Sequence, residues 1–320
     1  MPTREFLQAD TLQAALADTV LPYLRARRRE FVHKTADGTE LFCVRYEADA
    51  PRGSVVLVHG LGECTEKFSE LCYYFLRENL TVLIYDQRGH GRSTRIPRRE
   101  IIHVRRFDEY VDDLGELLLA EEEHLPAPRY LFAHSMGGGV SALYLERGTD
   151  FFAKALLSSP MIGVKYLGIP RPLVRWGCHI ATMLGAGKCK PFVLHDAREP
   201  HEEAFAFASG TCEARFDAYL QIKIAEPLYR NAKPSCTWLR EALSCHGKIL
   251  KKGAPERIRT EVLLLAAEQE TLVQLQDQQK FIARVPRGSM KTVEGTKHEL
   301  YYAHDAVLHP YLNTVLDFFS

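Results

Sequence analysis

Continuous apolar runs alternate along the chain with segments in which apolar residues recur at helical spacing. Five such runs occupy 54–58, 81–86, 130–135, 154–160 and 262–268. These runs lack the strict alternation of apolar and polar residues that is typical of a strand with one solvent-exposed face. They therefore predict parallel strands that are covered on both sides. Residues 107–123, which lie between two of the runs, carry an apolar helical face and an acidic one. Strands alternating with helices predict a doubly wound α/β fold with a mostly parallel sheet.

Two further patterns extend this fold at its ends. The stretches 29–35 and 40–48 flank Asp37-Gly38, a pair typical of hairpin turns. Near the end of the chain, a strand at 289–295 is followed by an apolar helical face over 309–319. We therefore expect an opening hairpin and a closing helix packed on the sheet.

The alternation stops between 162 and 250. This stretch has helical spacing, six prolines and no buried-strand run. It predicts a helical cap inserted over the carboxyl ends of the strands. The expected organisation is one core formed by 1–161 and 251–320, with 162–250 as the cap.

Composition and charge argue against several functions. The 320 residues contain 41 basic and 41 acidic side chains, so the chain lacks the basic excess typical of nucleic-acid binding. No apolar run approaches the roughly 18–20 residues of a membrane span, and the first residues do not resemble a secretory signal. We expect a cytoplasmic protein whose eight scattered cysteines are free thiols rather than zinc ligands or disulfides.

The sequence AHSMGGG at 133–139 lies where a predicted strand meets a predicted helix. A G-x-S-x-G turn needs small residues two positions before and after its serine, because the backbone turns too tightly for larger ones. Ala133 and Gly137 occupy those positions here. Ser135 is therefore the candidate nucleophile, and a structural Ser-Gly loop is the alternative.

A nucleophilic serine needs two hydrogen-bond donors for the substrate oxygen. The glycine-flanked loop after the strand 54–58 supplies one, so we assign this oxyanion hole to the backbone N–H groups of Leu61 and Met136. His59 precedes the loop and is interpreted as a structural hydrogen-bonding residue rather than as a base.

The base and the acid are expected on loops after the last strands, with the acid first in chain order. His298 follows the strand at 289–295 and precedes the final helix, which makes it the predicted base. The loop after 262–268 contains no aspartate, so a glutamate must orient this histidine. Glu270 has the better offset, and Glu268 remains the alternative.

Taken together, these motifs resemble the α/β-hydrolase superfamily and, more narrowly, its bacterial lysophospholipase and monoacylglycerol lipase group. The matching strings are VVLVHGLGECTEKF (55–68), YDQRGHGRS (85–93), FDEYVDDL (107–114), AHSMGGG (133–139), SSPMIG (158–163), LLLAAEQETLV (263–273) and GTKHELYYA (295–303). The resemblance implies the same triad and oxyanion hole. The chain departs from it at Ala133, where members commonly have glycine, and in its acid, which is aspartate in many members.

This resemblance implies a serine hydrolase that cleaves the acyl ester of a lysophospholipid or monoacylglycerol through an acyl-enzyme. Such a reaction needs no metal and no organic cofactor. The alternatives are a carboxylesterase or acyltransferase on other acyl esters, a peptidase, and a non-catalytic binding protein on the same scaffold.

Two segments bear on the substrate. Cap residues Trp176, Met183 and Leu184 are the candidate acyl-binding residues, and basic residues flank them. The helix that carries these residues is predicted to pack on the core. The alternative is that it makes peripheral contact with the inner membrane. Six arginines between Arg92 and Arg106 could meet a phosphate head group or pair with the acids that follow them.

Overall fold

The computed structural model describes residues 4–96, 101–165, 170–191, 203–230 and 233–320. Eight strands in these ranges form one sheet. They are β1 (Arg28–Lys34), β2 (Glu40–Tyr46), β3 (Gly53–Val58), β4 (Leu80–Tyr85), β5 (Arg129–His134), β6 (Lys154–Ser158), β7 (Glu261–Ala267) and β8 (Gly288–Val293). Their spatial order is β1-β2-β4-β3-β5-β6-β7-β8. The pairs β1–β2 and β2–β4 are antiparallel, and all later pairs are parallel.

Helices connect these strands. They are α1 (Ser69–Arg77), α2 (Asp108–Ala120), α3 (Met136–Leu145), α4 (Arg171–Met183), α5 (Glu213–Ala225), α6 (Cys236–Ile249), α7 (Leu275–Ile282) and α8 (Asp305–Phe318). Three short helical turns, Leu12–Ala15, Leu16–Val20 and Leu21–Arg25, precede β1. A two-residue pairing joins Ile101–Ile102 to Lys233–Pro234. Among the described helices, none is long and apolar enough to cross a bilayer.

The sheet is covered on both faces. Helices α2, α3, α6 and α7 share one buried cluster with one face, and α1, α8 and the N-terminal turns share a second cluster with the other. Every residue of β3 and β4 is buried, as expected for parallel strands between two helical layers. The predicted doubly wound, mostly parallel α/β fold is confirmed.

The five apolar runs all form strands of this sheet, and β1 and β2 form the predicted hairpin. Gly38 has a φ of +85° in the connecting turn, a conformation that glycine adopts without a steric cost. The closing helix α8 begins at Asp305, four residues before the predicted start. An acid in its first turn suits the positive end of the helix, and Leu308 extends its buried face.

The chain between β6 and β7 holds α4, α5 and α6. Helix α5 lies over the carboxyl end of β3, where the Tyr219 hydroxyl donates to the Gly62 carbonyl at 3.3 Å. Its fully buried Arg215 pairs with Glu70 at 2.9 Å and with Asp305 at 2.8 Å, which ties α5 to the two helices beneath it. Helix α6 contributes part of its apolar face to the cluster around α2 and α3. Helices α5 and α6 are therefore fixed against the sheet and the helices that cover it at several points.

Candidate active site

Ser135 occupies a strained turn between β5 and α3. Its φ of +50° and ψ of −117° are outside the regions that most residues adopt. A Cβ at Gly137 would lie 2.3 Å from the Val58 carbonyl oxygen, and one at Gly138 would lie 2.6 Å from Cβ of Pro160. The glycines after the serine are therefore required by the close approach of neighbouring backbone. Ser135 itself is only half-buried.

The three residues predicted as a triad lie within hydrogen-bond distance of one another. His298 Nε2 is 2.7 Å from Ser135 Oγ, and His298 Nδ1 is 2.8 Å from Glu270 Oε2. The three come from loops that follow β5, β7 and β8, which end at the same edge of the sheet. Residues separated by more than 160 positions in the chain therefore meet because parallel strands end together.

The structure distinguishes the two candidate acids. Glu270 is buried, and its second carboxylate oxygen accepts the backbone N–H groups of Leu272 at 2.8 Å and Val273 at 3.3 Å. Burial raises the pKa of Glu270, whereas the hydrogen bonds from His298 and from these backbone donors lower it. The lowering effects together are larger, so the pKa lies below its ordinary value. Glu268 is exposed and accepts the N–H of Gly295 at 2.9 Å. Of the two glutamates, Glu270 is therefore the one that contacts His298.

The loop that bears Leu61 lies against the nucleophile. A Cβ at Gly60 would be 3.1 Å from Ser135 Cβ and 2.8 Å from Glu63 Oε2, so any larger residue would displace one of these side chains. The Gly60 N–H donates to Glu63 Oε2 at 2.5 Å, which fixes the loop just before Leu61. Met136 is the first residue of α3, where backbone N–H groups have no partner within the helix. Leu61 and Met136, the two residues predicted to supply the oxyanion donors, thus lie on a loop that packs against Ser135 and at the start of the helix that follows it.

His59 has the structural environment expected from its position. It is fully buried, with Nδ1 2.7 Å from the Gly60 carbonyl and Nε2 accepting the Gln87 N–H at 2.9 Å. Burial lowers the pKa of His59, so the neutral ring is favoured. It therefore supports the loop between β3 and α1, and both of its ring nitrogens are engaged.

A buried ionic network behind the site was not predicted from the sequence. Lys67 Nζ lies 2.7 Å from Glu63 and 2.8 Å from Glu299, and the Tyr301 hydroxyl also donates to Glu63. The network connects the Leu61 loop to the residues that follow His298. Attraction to these two carboxylates outweighs desolvation and keeps the pKa of Lys67 above its ordinary value. The four-residue spacing of Glu63 and Lys67 was a visible signal for an ion pair.

The cap residues predicted to bind an acyl chain lie on an exposed face of α4 or directly after it. Trp176, Met183 and Leu184 are 64%, 74% and 80% exposed, respectively. The interpretation of this face as packed on the core is wrong, because α4 instead buries Cys178 on its opposite side and contacts α6 through Thr182. The structure therefore brings the triad together and leaves these three side chains at the surface.

The arginines of 92–106 that the structure describes have partners in different parts of the fold. Arg105 pairs with Glu109 at 3.1 Å, as expected if the stretch neutralises the acids that follow it. Arg95 instead donates through Nη1 to the Leu228 carbonyl at 2.7 Å, between α5 and α6. Arg98 and Arg99, which belong to the same arginine-rich stretch, lie outside the described residues. Arg95 and Arg105, which lie in one arginine-rich stretch, thus bind partners in different parts of the fold.

Comparison with known proteins identifies the family. The family model described as serine aminopeptidase, S33 matches residues 49–305. The chain belongs to this family. Lysophospholipase L2 of Escherichia coli K12 is 29% identical over 87% of this chain and 83% of its own length. Probable lysophospholipase L2 of Haemophilus influenzae is 30% identical over 85% of each chain.

Solved structures of the same α/β-hydrolase fold extend the comparison. A soluble variant of the Saccharomyces cerevisiae monoglyceride lipase, in complex with a substrate analogue, superposes with a TM-score of 0.69 at 18% identity. The match covers 91% of this chain and 95% of that one, so it supports the fold. The resemblance to hydrolases of the lysophospholipase and monoacylglycerol lipase group is confirmed. The classification as a carboxylic ester hydrolase is confirmed with it.

Proposed function

We propose that the protein is a serine hydrolase that cleaves the acyl ester of a lysophospholipid or monoacylglycerol. The observation that carries this proposal is the continuous chain of hydrogen bonds from Glu270 through His298 to Ser135, at 2.8 and 2.7 Å. Relatives that resemble the chain over most of their length bear the name lysophospholipase L2, which supports a lipid-like ester as the substrate.

In the proposed reaction, Ser135 Oγ attacks the acyl carbonyl carbon while His298 Nε2 takes the hydroxyl proton. Glu270 holds the imidazole through Nδ1 and stabilises the imidazolium ion that forms. The C–O bond of the ester then breaks, and His298 returns the proton to the departing alcohol. Water attacks the acyl-enzyme by the same route and releases the fatty acid. Each proton transfer uses the triad, so the sequence of steps calls on no metal or cofactor.

The negative oxygen of the tetrahedral intermediate needs donors that are already in place. The N–H groups of Met136, at the positive end of α3, and of Leu61 are proposed to supply them. Removing one such donor typically costs on the order of 100- to 1,000-fold in rate. The hydrogen bond from Gly60 to Glu63 supports this role, because it restrains the loop immediately before Leu61.

The exposed face of α4 suggests how a lipid substrate is reached. Leu173, Trp176, Ile180, Met183 and Leu184 form this α4 stripe, and all five side chains are exposed. Exposed Arg175 and Lys188 lie beside it. We propose that the stripe contacts an anionic lipid surface and so delivers acyl esters to the site, with 162–250 acting as the cap.

Active-site labelling tests the proposed nucleophile. A fluorophosphonate probe is expected to label the wild-type protein and not Ser135→Ala, and only the wild type should hydrolyse 1-acyl-lysophosphatidylcholine or 1-monoacylglycerol. Absence of labelling in the folded wild type would contradict the serine mechanism. Turnover of short p-nitrophenyl esters alone would favour the carboxylesterase alternative.

The surface role of α4 has its own test. Trp176→Ser with Met183→Ser should reduce binding to anionic vesicles, and turnover of vesicle-bound substrate, by about ten-fold. Turnover of a soluble short ester should stay unchanged. Leu119→Ser is the matched control, because Leu119 is 75% exposed on the distant helix α2. Equal losses in the control would refute the α4 stripe as the contact.

A further inference from the structure

We propose that Tyr219, on the cap helix α5, is a positioning residue for the oxyanion hole assigned to Leu61 and Met136. This inference rests on the proposed function. It gives the cap a part in the chemical step as well as in access of the substrate. The contact from which it starts is the hydrogen bond that the Tyr219 hydroxyl donates, at 3.3 Å, to the carbonyl of Gly62, the residue after Leu61.

Helix α5 docks on the sheet domain through polar side chains. Its buried residues are Arg215, Tyr219 and Lys223, which recur at every fourth position and therefore share one face of the helix. Arg215 pairs with Glu70 at 2.9 Å and with Asp305 at 2.8 Å. Hydrogen bonds and ion pairs depend on direction, whereas apolar burial does not. The polar face therefore fixes the register of α5 and, with it, the place of Tyr219.

Leu61 lies between two glycines, so local steric restriction does little to fix the direction of its N–H group. Gly62 has a φ of +75°, which most other residues avoid. Two anchors hold this segment instead. The Gly60 N–H donates to Glu63 at 2.5 Å, and the Gly62 carbonyl accepts the Tyr219 hydroxyl at 3.3 Å. The first anchor belongs to the loop itself, and the second comes from the cap.

The ring of Tyr219 also supports the first anchor. Its centroid lies 4.8 Å from Nζ of Lys67, and this ammonium group is 2.7 Å from the other carboxylate oxygen of Glu63. A cation over an aromatic face is attracted by the charge distribution of the ring. Burial keeps the pKa of Tyr219 well above its ordinary value, so the hydroxyl retains the proton that it donates. One cap residue thus contacts the oxyanion loop directly and through Lys67.

Tyr219→Phe isolates the direct contact, because it removes the hydroxyl and keeps the ring. A soluble short ester is the substrate, so that contact of the α4 stripe with lipid does not enter the measurement. We expect kcat and kcat/KM to fall together by about three- to ten-fold, the contribution of one neutral hydrogen bond, with KM unchanged within about two-fold. A rise in KM with unchanged kcat would overturn the positioning role.

Tyr110→Phe is the matched control. The Tyr110 hydroxyl is buried and accepts the Nε1–H of Trp238 on α6 at 3.1 Å, so it also joins an inserted helix to the core. Both variants should lose some thermal stability, but Tyr110→Phe should change kcat by less than about two-fold. Equal losses of kcat in the two variants, or a loss below about three-fold in Tyr219→Phe, would refute the inference.

A transition-state analogue gives a readout that a purely structural role would not move. Ser135 Oγ adds to the carbonyl carbon of an alkyl trifluoromethyl ketone, its proton passes to His298, and the negative oxygen of the adduct occupies the oxyanion hole. Tyr219→Phe should raise the Ki of this ketone by the factor by which it lowers kcat/KM. The matching alcohol forms no adduct, so its Ki should stay within about two-fold.

An unchanged Ki for the ketone, or an equally weakened alcohol, would overturn the link between Tyr219 and the oxyanion hole. Either result, obtained with a wild type that hydrolyses esters, would leave the proposed hydrolase function intact. A wild type that hydrolyses no ester would refute the proposed function and this inference with it.

Discussion

Replacing Glu270 by glutamine removes the charge next to His298 while retaining the size of the side chain. The carboxylate is buried and lies 2.8 Å from Nδ1 of the histidine. Its pKa lies below the ordinary value, so the group is ionised at neutral pH. The glutamine amide cannot stabilise an imidazolium ion by charge, and it can present an N–H group where the histidine needs an acceptor.

The size of the loss follows from that distance. At an effective dielectric constant of about 20, opposite unit charges 2.8 Å apart attract by about 6 kcal/mol. Since each 1.36 kcal/mol is ten-fold in rate, the charge accounts for up to about 10⁴-fold in kcat. The loss on neutralising the acid of a serine protease triad is of the same order. We therefore expect Glu270→Gln to lower kcat by about 10³- to 10⁴-fold.

Glu268→Gln is the matched control, because Glu268 lies two residues away but is exposed and bonds Gly295. Steady-state hydrolysis of a soluble ester, together with the thermal unfolding midpoint, separates catalysis from folding. Glu268→Gln should retain kcat within about three-fold. A comparable loss of kcat in the two variants, or a larger one in Glu268→Gln, would refute the assignment of the acid.

Three further predictions address the loops and the core. Gly137→Ala should destabilise the fold by at least about 1–3 kcal/mol, because its Cβ would lie 2.3 Å from the Val58 carbonyl, whereas Gly247→Ala has open space and should not lower the thermal midpoint. Burial raises the pKa of Glu146 to about 8, so the native state retains a proton that the unfolded chain loses. Stability should therefore fall as pH rises from about 4.5 to 8, and Glu146→Gln should remove that slope and gain up to about 5 kcal/mol at pH 9, as measured by denaturant titration. Glu63→Gln should lower kcat by about 10- to 100-fold with little change in KM, because it loosens the oxyanion loop; a change in KM alone would contradict this role.

Local patterns carried most of the fold prediction. A strand covered on both faces must be apolar throughout, so runs such as 54–58 are visible in the sequence without any knowledge of their neighbours. The turn around Ser135 is visible for a similar reason. Its steric demands fall on residues two positions away, and they restrict the sequence to small side chains.

The choice between Glu268 and Glu270 needed the tertiary structure. Both follow β7 within three residues, and both are glutamates on one short loop. The backbone after β7 directs Glu270 inward, where the Leu272 and Val273 N–H groups hold one oxygen and His298 meets the other. No pattern in one segment reveals where a loop more than twenty residues away will place its histidine.

The same reason explains why the predicted packing of α4 was wrong and why the partners of the arginines were predicted only in part. An apolar helical stripe looks the same in sequence whether it packs on a core or faces solvent. In the structure, α4 contacts α6 through Thr182, and the stripe around Trp176 is exposed. Likewise, Arg95 and Arg105 belong to one basic run but have partners from different parts of the chain. The buried strands and the serine at the turn can be recognised in the sequence, because short-range steric and hydrophobic constraints define them. Which charges pair and which apolar face stays exposed depend on contacts between distant segments, so they could be read from the three-dimensional structure alone.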